Sequence, residues 1–217
     1  MSKTYEVCST PGKDLIGLLS SYTKKTIPMS KTPKHHTYCF LNVLALKYRR
    51  HPIAIDPLSV LADLFAFSPP QEQVFCLERL CTAALTNSYT WQEGSPANAI
   101  DCGRELELLV EVAWLLYKKG ADNKKPQHRA PPTVHELPMP LTAAEYQQPQ
   151  LYLQQFFGYA PLRKWKAMIA AFTVNAVSNE SVADELSGAT PLAFSHYIKK
   201  LVYAVYRVAV LKGIELQ

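Results

Sequence analysis

An all-α fold, a helical bundle of about seven or eight helices in two lobes, is the architecture this sequence predicts. Three observations carry it. Apolar side chains recur at three- and four-residue intervals through most of the chain, which is the period of one helix face. Prolines and capping side chains stand at the starts of those stripes. Strand signals are weak, with only Thr4–Val7 reading as a short strand.

The elements follow in order. Tyr38–Tyr48 is apolar nearly all round, which predicts a helix in the centre of a core. Asp56-Pro57 sets a capping acid before a proline at the first helical position, and Leu58, Leu61, Leu64 and Phe65 form the stripe behind it. In Ser68-Pro69-Pro70-Gln71 the serine is a candidate cap and Gln71 completes a capping box. Val74, Leu77, Cys81, Ala84 and Leu85 then face inward. Asp101 is the expected start of the next helix. Its inner face is Leu106, Leu109, Val110, Ala113 and Leu116, and Lys118-Lys119-Gly120 closes it.

Residues 121–140 hold five prolines in twenty positions and read as a linker or long crossover. This divides the chain into an amino-terminal helical lobe (1–120), the Pro-rich crossing (121–140) and a carboxy-terminal helical lobe (141–217). Arg129 and His135 within the crossing have the R-x5-H spacing of a family of helical nucleases, but the prolines deny that chemistry its helix. Beyond it, Thr142 and Glu145 make a capping box. Pro149 ends that short helix and starts another, through Phe157. Pro161 opens a strong helix with Leu162, Trp165, Met168, Ile169, Phe172 and Ala176 on one face. Arg163, Lys164 and Lys166 sit in its first turn, where the helix dipole disfavours cations; ordinary solvation is the leading expectation and an anionic partner the alternative.

Composition excludes some classes. An apolar content of 48% is too high for a disordered chain. No run approaches the roughly 18 apolar residues of a membrane span, and the amino terminus shows no secretory h-region, so a cytoplasmic protein without membrane contact is expected. Five scattered cysteines do not make a disulfide framework and read as small buried hydrophobes. There is no G-x-G pair, G-K-S/T, G-x-S-x-G, H-E-x-x-H or C-x-x-C, which lowers the expectation of catalysis. No catalytic, cofactor or metal residue is nominated. His35-His36 lack a third ligand nearby. Glu107 and Glu111 share a helical face but no Glu-x-x-His exists to complete a carboxylate-bridged site, so a solvated face is expected.

Charge is uneven within the net +5. Residues 1–51 carry nine Lys or Arg against two acids, and residues 52–120 carry four against nine. The basic block suits either an anionic partner or the acidic middle of the same chain.

One constellation offers a binding chemistry. In residues 179–207 a short helix burying Val182, Ala183 and Leu186, a turn at Ser187-Gly188-Ala189, and a longer helix from Thr190-Pro191 follow the helix opened by Pro161. This is helix-turn-helix-like. As a DNA-binding regulator it would present Ala193, Ser195 and His196 to base edges and Lys199, Lys200 and Arg207 to phosphates. The turn falls one place late, and Leu201–Leu211 is so apolar that it must be buried or dimerised. The leading expectation is therefore a non-catalytic protein-binding or assembly module, with a homodimer through the last helix as one form of it. DNA binding is the alternative.

Overall fold

The computed structural model describes residues 41–87, 89, 95–121, 140–178, 181–186 and 190–214. Among these residues the protein is all-α and no strand occurs. Its helices are α1 (Asn42–Tyr48), α2 (Pro57–Phe67), α3 (Pro70–Leu85), α4 (Pro96–Ala121), α5 (Ala143–Gln147), α6 (Pro149–Tyr159), α7 (Leu162–Ser178), α8 (Val182–Glu185) and α9 (Thr190–Leu211). A 3-10 turn over Pro52–Ala54 joins α1 to α2. The Thr4–Val7 strand, His35-His36, nearly all of the 121–140 crossing with Arg129 and His135, and the Ser187–Ala189 turn lie outside the described residues.

Proline sets most of the helix starts. Pro57, Pro70, Pro96 and Pro149 each occupy the first position of a helix, Pro191 the second position of α9, and Pro161 immediately precedes α7. The fixed φ suits a first turn, and the missing N–H is one the helix would leave unpaired in any case. Thr142 caps α5 with the full reciprocal box: its side chain accepts the Glu145 N–H, and Glu145 accepts the Thr142 N–H at 2.8 Å.

Several expected boundaries move. Ser68 does not cap α3. It and Pro69 both precede a proline, which drives both into extended backbone, so α3 begins at Pro70. Ser68 instead closes α2 through its N–H to Leu64 O, and its carbonyl accepts the buried Gln73 Nε2 at 2.9 Å. Asp56 precedes α2 without a side-chain cap bond, its carboxylate lying 3.5 Å from Lys119. Asp101 lies inside α4, which starts five residues earlier at Pro96. Gly120 does not stop α4, because the helix runs through Ala121. Leu41, just before α1, and Leu44 within it are buried, but Leu46 is 75% exposed, so this helix flanks the core rather than threading it. The inner faces expected for α4 and α7 are buried at every named position.

Helix α4 is the centre of the assembly and packs on α1, α2, α3, α6, α7 and α9. Its partner α7 runs antiparallel to it, since Glu111 meets Lys166 while Gly103 meets Thr173. Helix α9 packs on α3 through Lys199–Glu78 and runs antiparallel to α6, since Lys200 meets Tyr152 while Tyr197 meets Tyr159. One continuous apolar core joins residues from Leu41 to Leu116 with residues from Leu141 to Ala209. Its aromatic end is built on Trp165, which stacks on Phe156 at 4.1 Å between centroids and donates Nε1–H to the Phe156 carbonyl at 3.2 Å.

The end of α9 is a Schellman motif. Gly213 takes φ +76°, its N–H reaches Val210 O at 3.1 Å, and the Ile214 N–H reaches Ala209 O at 3.2 Å. Glycine adopts this left-handed backbone without steric cost, and Ile214 folds back on the core as the motif's apolar contact.

Candidate functional site

Three groups of side chains bear on function: a buried ion pair, the polar face of α9, and the outer face of α7.

The ion pair arises from a charge in an apolar run. Glu111 stands in Leu108-Leu109-Val110-Glu111-Val112-Ala113, on a stretch of α4 covered on all sides, and is 0% exposed. Such a carboxylate must be paired and hydrogen-bonded. Lys166 Nζ bonds to Glu111 Oε1, and the Leu44 and Val43 N–H groups donate to the same carboxylate at 2.8 and 3.2 Å. Those N–H groups belong to the first turn of α1, which no side chain of its own caps. Lys166 also bonds Asn42 Oδ1 and lies 3.5 Å from Glu107. Burial pushes the Glu111 carboxyl above its ordinary range, and Lys166 and the two N–H groups offset this only in part. The solvated face expected for Glu107 and Glu111 is therefore corrected: both turn towards Lys166. Lys166 in turn finds its anion within the chain. This arrangement ties α1, α4 and α7 at one point.

The residues nominated on α9 are placed as follows. Lys200 bonds Glu145 Oε1 at 2.7 Å and lies 4.9 Å from the Tyr152 ring centroid, and its side chain is only 13% exposed. Arg207 donates Nε–H to Tyr146 O at 3.0 Å and stacks on the Tyr146 ring at 3.9 Å. Lys199 pairs with Glu78 of α3 in a more open setting. Ser195 is partly buried, Ala193 is half-buried, and His196 is exposed beside Tyr197. The three cations thus lie along α9 against α3, α5 and α6 rather than along one open ridge. The apolar residues Leu201, Val202, Val205, Val208 and Ala209 are buried in the chain's own core. Ala183, expected inside, is exposed, while Val182 is buried.

The Lys200 geometry makes a direct prediction. At Glu145 burial works against charge, yet the bonds from Lys200 and Thr142 outweigh it and hold the carboxyl below the ordinary range. Lys200→Glu places a second carboxylate there and is expected to cost about 3–5 kcal/mol, as removal of one partner from a buried pair does. Lys199→Glu, against the half-exposed Glu78, is expected to cost no more than about 1 kcal/mol. Urea unfolding of the two single variants checks the contrast.

The outer face of α7 was not read from the sequence. Between Ala167 and Val177 its exposed residues are Ala167, Ala170, Val174 and Val177, and all are apolar. Their spacing of three, four and three is that of a coiled-coil seam. Val174 is 62% exposed. The antiparallel register brings Ile100 of α4, also exposed, to the Val177 end of this stripe. A signal was present: a helix with apolar residues on both faces has one face too many for a single core. Among the described residues no cluster of three His, Cys, Asp or Glu side chains is arranged to hold a metal ion, and no helix is long and apolar enough to cross a membrane. Compared with protein-family models, curated proteins and solved structures, the chain matches none.

Proposed function

We propose that this chain is a non-catalytic helical protein-binding or assembly module that uses the outer face of α7. The observation that supports this reading is the stripe Ala167, Ala170, Val174 and Val177. It is solvent-facing, unbroken by any polar residue and spaced as a seam for one further helix. Ordinary surfaces scatter single apolar side chains, whereas a contiguous run at seam spacing marks an interaction face. The small alanines let a partner backbone approach closely. Valines at the far end supply apolar area, and Arg163 and Lys164 border the seam at its start. The apolar residues named for a homodimer through α9 are buried in the chain's own core, and on this reading self-association would also use α7.

A photo-crosslinking side chain at position 174, with a control at exposed Gln154 of α6, tests the reading in the source cell. A discrete adduct from 174 and none from 154 is expected. Identical patterns from the two sites would overturn it, and light scattering on the purified chain shows whether the adduct is a second copy. DNA binding stays testable through Lys199→Glu, which leaves the core intact. A fluorescence-anisotropy titration at two salt concentrations would show weaker binding for this variant if α9 contacts phosphates.

A further inference from the structure

The outer stripe of α7 has a register that is complementary to itself. Its exposed positions Ala167, Ala170, Val174 and Val177 follow the three-four-three spacing of a and d positions in a seam. The small residues stand in the first half of the stripe and the larger ones in the second. Consider two copies of α7 laid antiparallel, with the midpoint of the stripe on a two-fold axis. Ala167 then falls opposite Val177 of the second copy and Ala170 opposite Val174, and the same pairs recur in reverse. Every layer holds one alanine and one valine, so the helix axes keep one separation along the seam. A parallel pair sets alanine on alanine at one end and valine on valine at the other, which draws the axes together at one end and holds them apart at the other.

Charge fits the same arrangement. Lys164 is exposed in the first turn of α7, against its own helix dipole. In the antiparallel pair it comes to the last turn of the other copy's α7, where the carbonyl ends carry partial negative charge. Glu180, Asp184 and Glu185 follow that turn in the sequence. Ile100 of α4, exposed beside the Val177 end, extends the apolar patch towards the alanine end of the second copy.

We infer that the partner on the α7 face is a second copy of this chain, joined as an antiparallel two-fold dimer through Ala167, Ala170, Val174 and Val177. This rests on the reading of α7 as a binding face, and adds to it the partner and its orientation. One helix pair is a small interface, so the dimer is expected to be weak and concentration-dependent.

The test is sedimentation equilibrium of the purified full chain, up to about 1 mM, with Ala170→Lys and Val174→Glu as variants. The parent chain is expected to dimerise. Both substituted positions are exposed, so the variants are expected to keep the parent's urea midpoint. Each variant alone sets its introduced charge against an apolar side chain of the other copy, and is expected to dimerise at least about tenfold more weakly. In an equimolar mixture the introduced lysine and glutamate face each other only in the antiparallel register, so the mixture is expected to associate more tightly than either variant alone. Ala167→Lys with Val177→Glu is the equivalent pair at the ends of the seam, should one of the first variants fail to fold. The inference is overturned by variants that dimerise as well as the parent, or by a mixture no tighter than its components. A monomeric parent with a discrete adduct from position 174 in the source cell overturns the second copy alone. A monomeric parent with identical patterns from 174 and 154 overturns the binding face as well.

Discussion

Lys166→Met is expected to lower the unfolding free energy by about 3–5 kcal/mol near neutral pH. The substitution keeps most of the side-chain volume and removes the charge opposite Glu111, which has no exposed surface. What remains is a carboxylate that must stay buried without its counter-ion or take up a proton. Its folded-state carboxyl already stands above the ordinary range, and loss of Lys166 raises it further. The sign of the pH dependence follows. Where the folded value lies above the unfolded one, the folded chain holds more proton between the two, so stability falls as pH rises through that window. Above the folded value the whole cost is felt. The deficit of Lys166→Met is thus expected to be larger at about pH 8 than at about pH 5. Urea unfolding of both proteins at the two pH values measures it. A deficit below about 1 kcal/mol that does not change with pH would show that the pair contributes little. Glu111→Leu is no simple remedy, because the Leu44 and Val43 N–H groups would lose their acceptor.

Gly103→Leu is expected to cost at least about 3 kcal/mol, through the α4–α7 crossing. A Cβ at this position would overlap Thr173 Oγ1 and lie 3.1 Å from its Cγ2 and 3.2 Å from its Cβ. Thr173 yields poorly: it is β-branched, and its hydroxyl is bonded to Ile169 O at 2.8 Å. Leucine adds three further carbons where one does not fit, so the two helices must part and expose their shared core. Gly103→Ala is a milder case, in which overpacking of about 1–3 kcal/mol is set against a helix-propensity gain of about 1 kcal/mol. Adding Thr173→Ala is expected to recover most of that loss, and a double-mutant cycle reads the coupling. At Gly120 the opposing group is the flexible Gln150 carboxamide, so an alanine there is expected to be tolerated. An unchanged urea midpoint for Gly103→Leu would refute the close crossing.

These two sites show where sequence reading reaches and where it stops. The all-helical class, the inner stripes of α4 and α7 and the Thr142 box were legible, because each is encoded within a few residues of itself. The start of α3 was misplaced because two successive prolines outweigh a good serine cap. The start of α4 was misplaced because Pro96 opens the helix before Asp101 is reached. Lys166 was expected to be solvated or to meet an external anion, because its true partner lies 55 residues away in the chain. Only the observation that Glu111 interrupts a fully apolar run could have proposed it. The α7 seam was missed for a different reason: attention went to its larger residues, and its outer alanines and valines look like filler until they are seen facing solvent.

The Glu111 clasp also has a bearing on the order in which the chain is made. The acceptor for the Leu44 amide emerges from the ribosome 67 residues after it, and the acceptor's own cation a further 55 after that. During synthesis α1 therefore waits with an open first turn until α4 is released, and α4 waits with an unbalanced charge until α7 follows. The amino-terminal half gains its full hold only once the carboxy-terminal half has arrived, which places the commitment to the native state late in translation.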